Sequence, residues 1–102
     1  MPYISEDDRK ELDDAIDQLT LAIKNISTLD HPDDFSIYLG RINYCFSRVI
    51  AGVMGRVSYS KIAMATGVLE NIKQEYYRRV ASFYEDQKII SNGDIPEYKK
   101  FV

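Results

Sequence analysis

Apolar residues recur every three or four positions along most of the chain, which is the spacing of amphipathic helices. The first set is a run of five aliphatic residues in a 4-3-4-3 rhythm: Leu12, Ile16, Leu19, Ile23 and Ile26. This set predicts a helix over about 6–26. Ser5 precedes it as a suitable N-cap, and acidic residues fill its first turn, where they complement the helix dipole.

Two further helices follow from the same spacing. Phe35, Leu39, Ile42, Phe46, Val49 and Val53 share a 4-3 rhythm that predicts a helix over about 33–54. Val68, Leu69, Ile72, Tyr76, Val80 and Phe83 continue the pattern in a third helix over about 58–90. Ser58 can cap the start of this helix, and Ser91-Asn92-Gly93 is a strong stop signal. The pattern therefore predicts a single all-α domain over 1–102, built as a three-helix antiparallel bundle.

The third helix is predicted to be longer than its two partners. At 1.5 Å per residue it would reach ~50 Å, whereas the first two would reach ~33 Å. An apolar stripe that extends beyond its intramolecular partners needs another chain to cover it, and aromatic residues are favoured at such interfaces. We therefore expect a homo-oligomer, most simply an antiparallel dimer. The interface residues that we expect are Tyr76, Phe83, Ile89 and Ile90.

Composition narrows the class of protein. The chain has 102 residues and a net charge of −3, and no apolar run is long enough to span a bilayer. We expect no signal or transit peptide and no membrane partner, and we expect a cytoplasmic location in a bacterial host cell. Cys45 is the single cysteine, so an intramolecular disulfide is excluded, and its place in an apolar helical pattern predicts a small core residue. Residues 1–34 are acidic and residues 35–102 basic, an asymmetry that bears on association more than on fold.

Arginines and tyrosines form the most informative chemical pattern. Arginine forks bind phosphates bidentately, and tyrosine rings stack on bases. The candidate ligand-binding residues lie on the second and third helices: Arg41, Tyr44, Arg48, Tyr77, Arg78, Arg79, Tyr84 and Lys88. Across an oligomer interface they would hold an anionic small molecule or nucleotide. The competing interpretation is ordinary ion pairing on helix surfaces, as at Glu70 and Lys73.

Two other function classes are open. Ile62–Val68 has the small residue and the glycine of a helix-turn-helix, which would make residues 59–79 a DNA-binding regulator, although nucleic acid is not the partner that we expect from an acidic chain. Asp13, Asp14 and Asp17 have the spacing used by metal-dependent nucleotide hydrolases. His31 has no nucleophilic partner. We expect no catalytic residue, metal ligand or cofactor, and hence a protein that is not an enzyme.

The C-terminal segment carries a long polar motif, GxLExxKxEYYRRVxxxYEDxKxxxNGD, which begins at Gly67 and ends at Asp94. With Met1–Ile4 and Asn43-Tyr44, this motif resembles a small family found in bacteriophages and bacterial genomes and carried as a domain of unknown function. The resemblance implies a phage or prophage origin and a recurring polar surface, but no activity. Combined with the arginines, it leads to our leading hypothesis, an oligomeric binding protein that sequesters an anionic nucleotide signal used in bacterial defence.

Overall fold

A computed structural model of the chain describes residues 3–26 and 34–101, and every regular element in those residues is helical. The elements are α1 (Glu6–Lys24), a 3-10 turn (Phe35–Tyr38), α2 (Leu39–Met54), α3 (Tyr59–Tyr76), a π-helical turn (Tyr77–Ala81), α4 (Ser82–Asn92) and α5 (Pro96–Lys99). The predicted all-α class is therefore confirmed. The three-helix antiparallel arrangement stays a prediction.

The helices belong to two units of the chain. Met1–Val53 contains α1 and α2, and Met54–Val102 contains α3, the π-helical turn, α4 and α5. Each unit has its own internal contacts. The expectation of one domain over 1–102 also stays a prediction.

Local hydrogen bonds define both ends of α1. The Ser5 hydroxyl accepts from the backbone N–H of Asp8 at 3.2 Å, as expected of an N-cap. The helix ends at Lys24, two residues before the predicted end, because Asn25 leaves the helical region with ψ 64°. The Asn25 N–H then donates to the carbonyl of Ala22 at 3.3 Å, which satisfies one of the helix's last carbonyls.

A 3-10 turn leads into α2. The Asp34 carboxylate accepts from the backbone N–H of Ser36 at 3.0 Å and caps this turn. The predicted start near residue 33 lies outside the described residues. At the other end α2 stops at Met54, as predicted, and Gly55 follows in the left-handed region with φ 63°, a conformation that costs glycine little.

The third helix runs without a break from Tyr59 to Asn92. The Ser58 hydroxyl caps it by accepting from the Lys61 N–H at 3.2 Å, so this predicted cap is confirmed. Gly67 lies inside α3 and does not interrupt it. The helix ends at Asn92, two residues later than predicted, and is followed by Gly93, whose φ is 84° and whose N–H donates to the carbonyl of Ile89 at 2.8 Å.

The π-helical turn interrupts the regular geometry of this helix. The backbone N–H of Ser82 donates to the carbonyl of Tyr77, five residues back rather than four. A turn closed this way holds one extra residue, so the residues beyond it lag by about 100° relative to a regular α-helix. Tyr76 and Phe83 would stand about 20° apart in a regular helix but are about 120° apart across the turn. The predicted single stripe is therefore wrong beyond Tyr76.

Apolar side chains are open to solvent in both units. No residue in the part of the chain that the structure describes is buried, and Cys45 is half-buried rather than part of a core. Among the predicted interface residues Tyr76 is 64% exposed, Phe83 63% and Ile90 86%. Within residues 3–26 and 34–101, no helix is both long enough and apolar enough to cross a membrane.

Candidate functional site

A cleft of about 330 Å³ lies where the end of α1 meets the start of α2. Its lining residues come from both helices: Ala22, Ile23, Gly40, Arg41, Tyr44 and Cys45. Two of the sequence-predicted ligand residues, Arg41 and Tyr44, are thus brought to one cavity. Gly40 and Cys45 also line it, although Cys45 was predicted to be a core residue and Gly40 had no predicted role. Gly40 lies four residues before Tyr44 and Cys45 four residues after Arg41, which is the spacing of one helix face.

Arg41 connects the two helices of this unit. Its Nη2 donates to the backbone carbonyl of Ala22 at 2.7 Å. The Ala22 carbonyl, which also accepts from the Asn25 N–H, lies at the C-terminal end of α1, where the helix carries partial negative charge, so a guanidinium there is favourable. A guanidinium has five N–H donors, and the remaining ones are not committed to this carbonyl. Arg41 therefore supports the cleft and still presents cationic donors at its wall.

Arg48 lies one turn further along α2, against Tyr44. Its guanidinium carbon is 5.8 Å from the centre of the Tyr44 ring, and its Nη1 donates to the Tyr44 hydroxyl at 3.5 Å. This cation–π geometry restricts the arginine side chain beside the cleft. Tyr44 is 62% exposed, so its ring also has surface available for stacking. Arg48 thus contacts Tyr44, which lines the same cleft as Arg41.

The other predicted ligand residues lie in the second unit, around the π-helical turn. The Tyr77 hydroxyl donates to a carboxylate oxygen of Glu85 at 3.3 Å, and the Lys88 ammonium lies 5.4 Å from the centre of the Tyr84 ring. A second cleft, of about 460 Å³, is lined by Arg78, Arg79, Ser82, Phe83 and Asp86. Its acidic member sets it apart from the cleft in the first unit. Arg78 and Arg79 thus line one cleft, together with the carboxylate of Asp86, which was not among the predicted ligand residues.

Surface ion pairing is present as the competing interpretation predicted. The Lys73 ammonium lies 3.6 Å from a Glu70 carboxylate oxygen, and both side chains are more than half exposed. Lys10 and Glu6 form a similar pair at 3.8 Å. Exposed pairs of this kind contribute only about 0–1 kcal/mol to stability. Lys73 and Glu70 therefore have a sufficient structural role without a ligand.

The structure bears on the geometry of both alternative functions. α3 passes through Ile62–Val68 as continuous helix, so the turn that a helix-turn-helix requires is absent from this segment. Within residues 3–26 and 34–101, no group of three or more His, Cys, Asp or Glu side chains is placed to hold a metal ion. His31 lies outside these residues.

Comparison with known proteins agrees with the motif-based expectation. No curated protein and no solved structure matches the chain. Residues 1–95, nearly the whole sequence, match the family described as Domain of unknown function (DUF6899). The chain, with its helices, its Arg41–Tyr44–Arg48 surface and its long C-terminal helix, belongs to this family.

Proposed function

We propose that this protein is a non-enzymatic, homo-oligomeric binding protein that sequesters an anionic nucleotide signal in the bacterial cytoplasm, as a phage or prophage product acting against host defence would. The observation that carries the proposal is the cleft of about 330 Å³ with Arg41 and Tyr44 in its wall and Arg48 held against Tyr44. An arginine pair supplies bidentate donors for phosphate, and an exposed tyrosine supplies a stacking surface for a base. No group within this surface is needed as a nucleophile or base.

Cleft size supports an oligomer as the binding form. Small-molecule sites usually enclose about 300–1,000 Å³, so a cleft of about 330 Å³ is at the small end of this range and would leave part of a dinucleotide outside it. A second copy would cover the remainder. The exposed apolar side chains support the same conclusion, because large exposed apolar patches mark interaction sites. The oligomer that we propose completes an antiparallel helical bundle between copies.

Direct binding is the decisive experiment. Isothermal titration calorimetry with cyclic diadenylate and with AMP, each at up to about 1 mM, would be paired with native mass spectrometry of the same sample. We expect a dissociation constant in the micromolar range or below and a complex that contains more than one copy of the chain. If neither nucleotide binds, the proposed nucleotide ligand is contradicted. A monomer in the same spectra would contradict the proposed homo-oligomer.

Variants of the cleft locate the site. Arg48→Ala and Tyr44→Ala should each weaken binding about tenfold or more, the effect of losing ~1.4 kcal/mol at a central contact. Tyr44→Phe keeps the ring but loses the hydroxyl that accepts from Arg48, and should have an intermediate effect. Tyr59→Ala is the matched aromatic control, because Tyr59 is 93% exposed and lies outside the cleft. Equal effects of Tyr44→Ala and Tyr59→Ala on binding would mean that the nucleotide site lies outside the cleft.

A further inference from the structure

The π-helical turn brings Arg78 and Asp86 closer in direction around the helix axis than a regular helix would. Arg78 and Asp86 are eight residues apart, which in an α-helix places them about 80° apart around the axis. The lag of about 100° at the turn brings them to within about 20°, and Ser82 lies four residues from each of them along the chain. The contacts agree with this alignment, since all three residues line one cleft. The neighbouring Tyr77–Glu85 hydrogen bond, also across eight residues, requires the same rotation.

This row is self-complementary when reversed. Along the chain the row is a cation (Arg78), a small residue (Ser82) and an anion (Asp86). A copy that runs in the opposite direction presents these charges in the reverse order. A two-fold axis at Ser82 would place Arg78 of each copy opposite Asp86 of the other, because both residues lie four positions from Ser82. A parallel copy would instead place like charges together, which is unfavourable. Direction and register are thus both specified by the charges.

Arg78 attracts the Glu75 carboxylate, three residues earlier along the helix, through a longer-range electrostatic interaction. Within residues 3–26 and 34–101, the ion pairs closer than 4.0 Å are Lys10–Glu6 and Lys73–Glu70, so neither Arg78 nor Asp86 takes part in one. Asp86 has only Ser82, Phe83, Ile89 and Ile90 at helical spacings of three and four residues, and none is a cation. Phe83 lies beside the row, 63% exposed, where two antiparallel copies would bring their aromatic rings together.

We infer that the π-helical turn is the centre of a symmetric, antiparallel self-association surface, with Arg78 of each copy paired to Asp86 of the other across Ser82. The inference rests on the homo-oligomer in the proposed function and adds its contact point, direction and register. The occupant of the cleft lined by these residues is then a second copy of this chain. Arg78 and Arg79 serve the interface, and nucleotide recognition belongs to Arg41, Tyr44 and Arg48.

Charge reversal tests the pairing. Arg78→Glu and Asp86→Arg should each weaken self-association about tenfold or more in sedimentation equilibrium, because each creates two symmetry-related like-charge contacts. The equimolar mixture of the two variants, and the double variant Arg78→Asp/Asp86→Arg, should recover the wild-type association constant to within about threefold. Lys99→Glu makes the same change of charge in α5, outside the long helix, and should have little effect on self-association. Far-UV circular dichroism of each variant establishes that the helices remain.

A cysteine crosslink tests the position of the axis even in a larger assembly. In a Cys45→Ser background, Ser82→Cys should form an intermolecular disulfide on mild oxidation, because residues at the axis satisfy the Cα separation of about 4.4–6.8 Å that a disulfide needs. Ser91→Cys, nine residues away along the helix, should not. An oligomer that resists both charge reversals and crosslinks equally at both positions would overturn this inference and leave the proposed oligomer intact. A monomeric wild-type protein would overturn both.

Discussion

The two units of the molecule use the same amphipathic pattern in different ways. In Met1–Val53, α1 and α2 approach each other where α1 ends and α2 begins, at the hydrogen bond from Arg41 to the Ala22 carbonyl and the cleft beside it. In Met54–Val102, the helix from Tyr59 to Asn92 makes its main contacts with its own neighbouring turns. Most helical stability in proteins comes from packing of an apolar face, and no residue from Tyr59 to Asn92 is buried. The comparison suggests that the first unit carries recognition and the second carries assembly.

The largest expected effect tests whether the long helix depends on another copy. Ile72→Ala should lower the free energy of unfolding by about 2–4 kcal/mol per chain if a second copy covers Ile72. The loss should grow as protein concentration rises in urea unfolding experiments, because oligomerisation contributes to stability. Asn71→Ala, at the adjacent position about 100° around the helix, should change it by less than about 0.5 kcal/mol. Equal effects of the two changes would mean that the Ile72 face stays uncovered.

Glycine substitutions should act in opposite directions at two sites of the long helix. Gly93→Ala should lower the unfolding free energy by about 1–3 kcal/mol, because φ 84° with ψ 176° is a conformation that side chains rarely adopt. Gly67→Ala should raise it by about 0.5–1 kcal/mol, because Gly67 is inside continuous helix and an added Cβ meets nothing within 4 Å. Thermal unfolding measures both. A loss at Gly67 would indicate a turn there and restore the helix-turn-helix geometry.

In the first unit, loss of the link between helices should be smaller and local. Arg41→Gln should cost about 1 kcal/mol, since it removes a charge-assisted but exposed hydrogen bond to Ala22. Hydrogen exchange should increase at the last turn of α1 more than elsewhere. Arg56→Gln is the matched control outside this unit. If the α1 amides keep their protection in the Arg41 variant, the cleft does not depend on this bond.

The smallest effect concerns the surface pair. Lys73→Ala should change stability by no more than about 0.5 kcal/mol, because Lys73 and Glu70 are exposed and screened by solvent. In about 0.5 M salt this change in stability should be smaller still, because exposed charges are screened within a few ångströms. Lys99→Ala, which has the same charge change near the C-terminus, serves as the reference. A larger, salt-resistant loss would indicate that Lys73 is covered in the assembled protein.

Helix ends could be predicted because single residues specify them. Ser5 and Ser58 act as caps at the predicted positions, and Gly93 closes the long helix within two residues of the expected end. The π-helical turn could not be predicted, because Tyr76 and Phe83 fit regular helical spacing and an extra residue in a turn has no distinctive side chain. The class of fold depends on local signals, whereas the direction of each side chain beyond Tyr77 depends on one hydrogen bond.

The candidate site shows a similar division. Arg41, Tyr44 and Arg48 could be assigned to one face of α2 because residues three, four and seven apart share a helix face. Their contact with Ala22 could not be predicted, since it depends on where α1 ends and on how the two helices of this unit meet. Asp86 was missed for a different reason. Its proximity to Arg78 exists only because of the π-helical turn.

The extra residue in the π-helical turn has a consequence for changes in chain length. Substitutions alter one side chain at a time, but deletion of a single residue such as Ala81 would convert the turn to regular helix. Phe83 would then follow Tyr76 by six residues of regular helix, which is again about 120° around the axis, so the side chains from Ser82 to Asn92 would keep their directions. Two chains that differ by one codon here would therefore present nearly the same surfaces before and after the turn, so the π-helical turn lets the helix hold an extra residue without changing its faces.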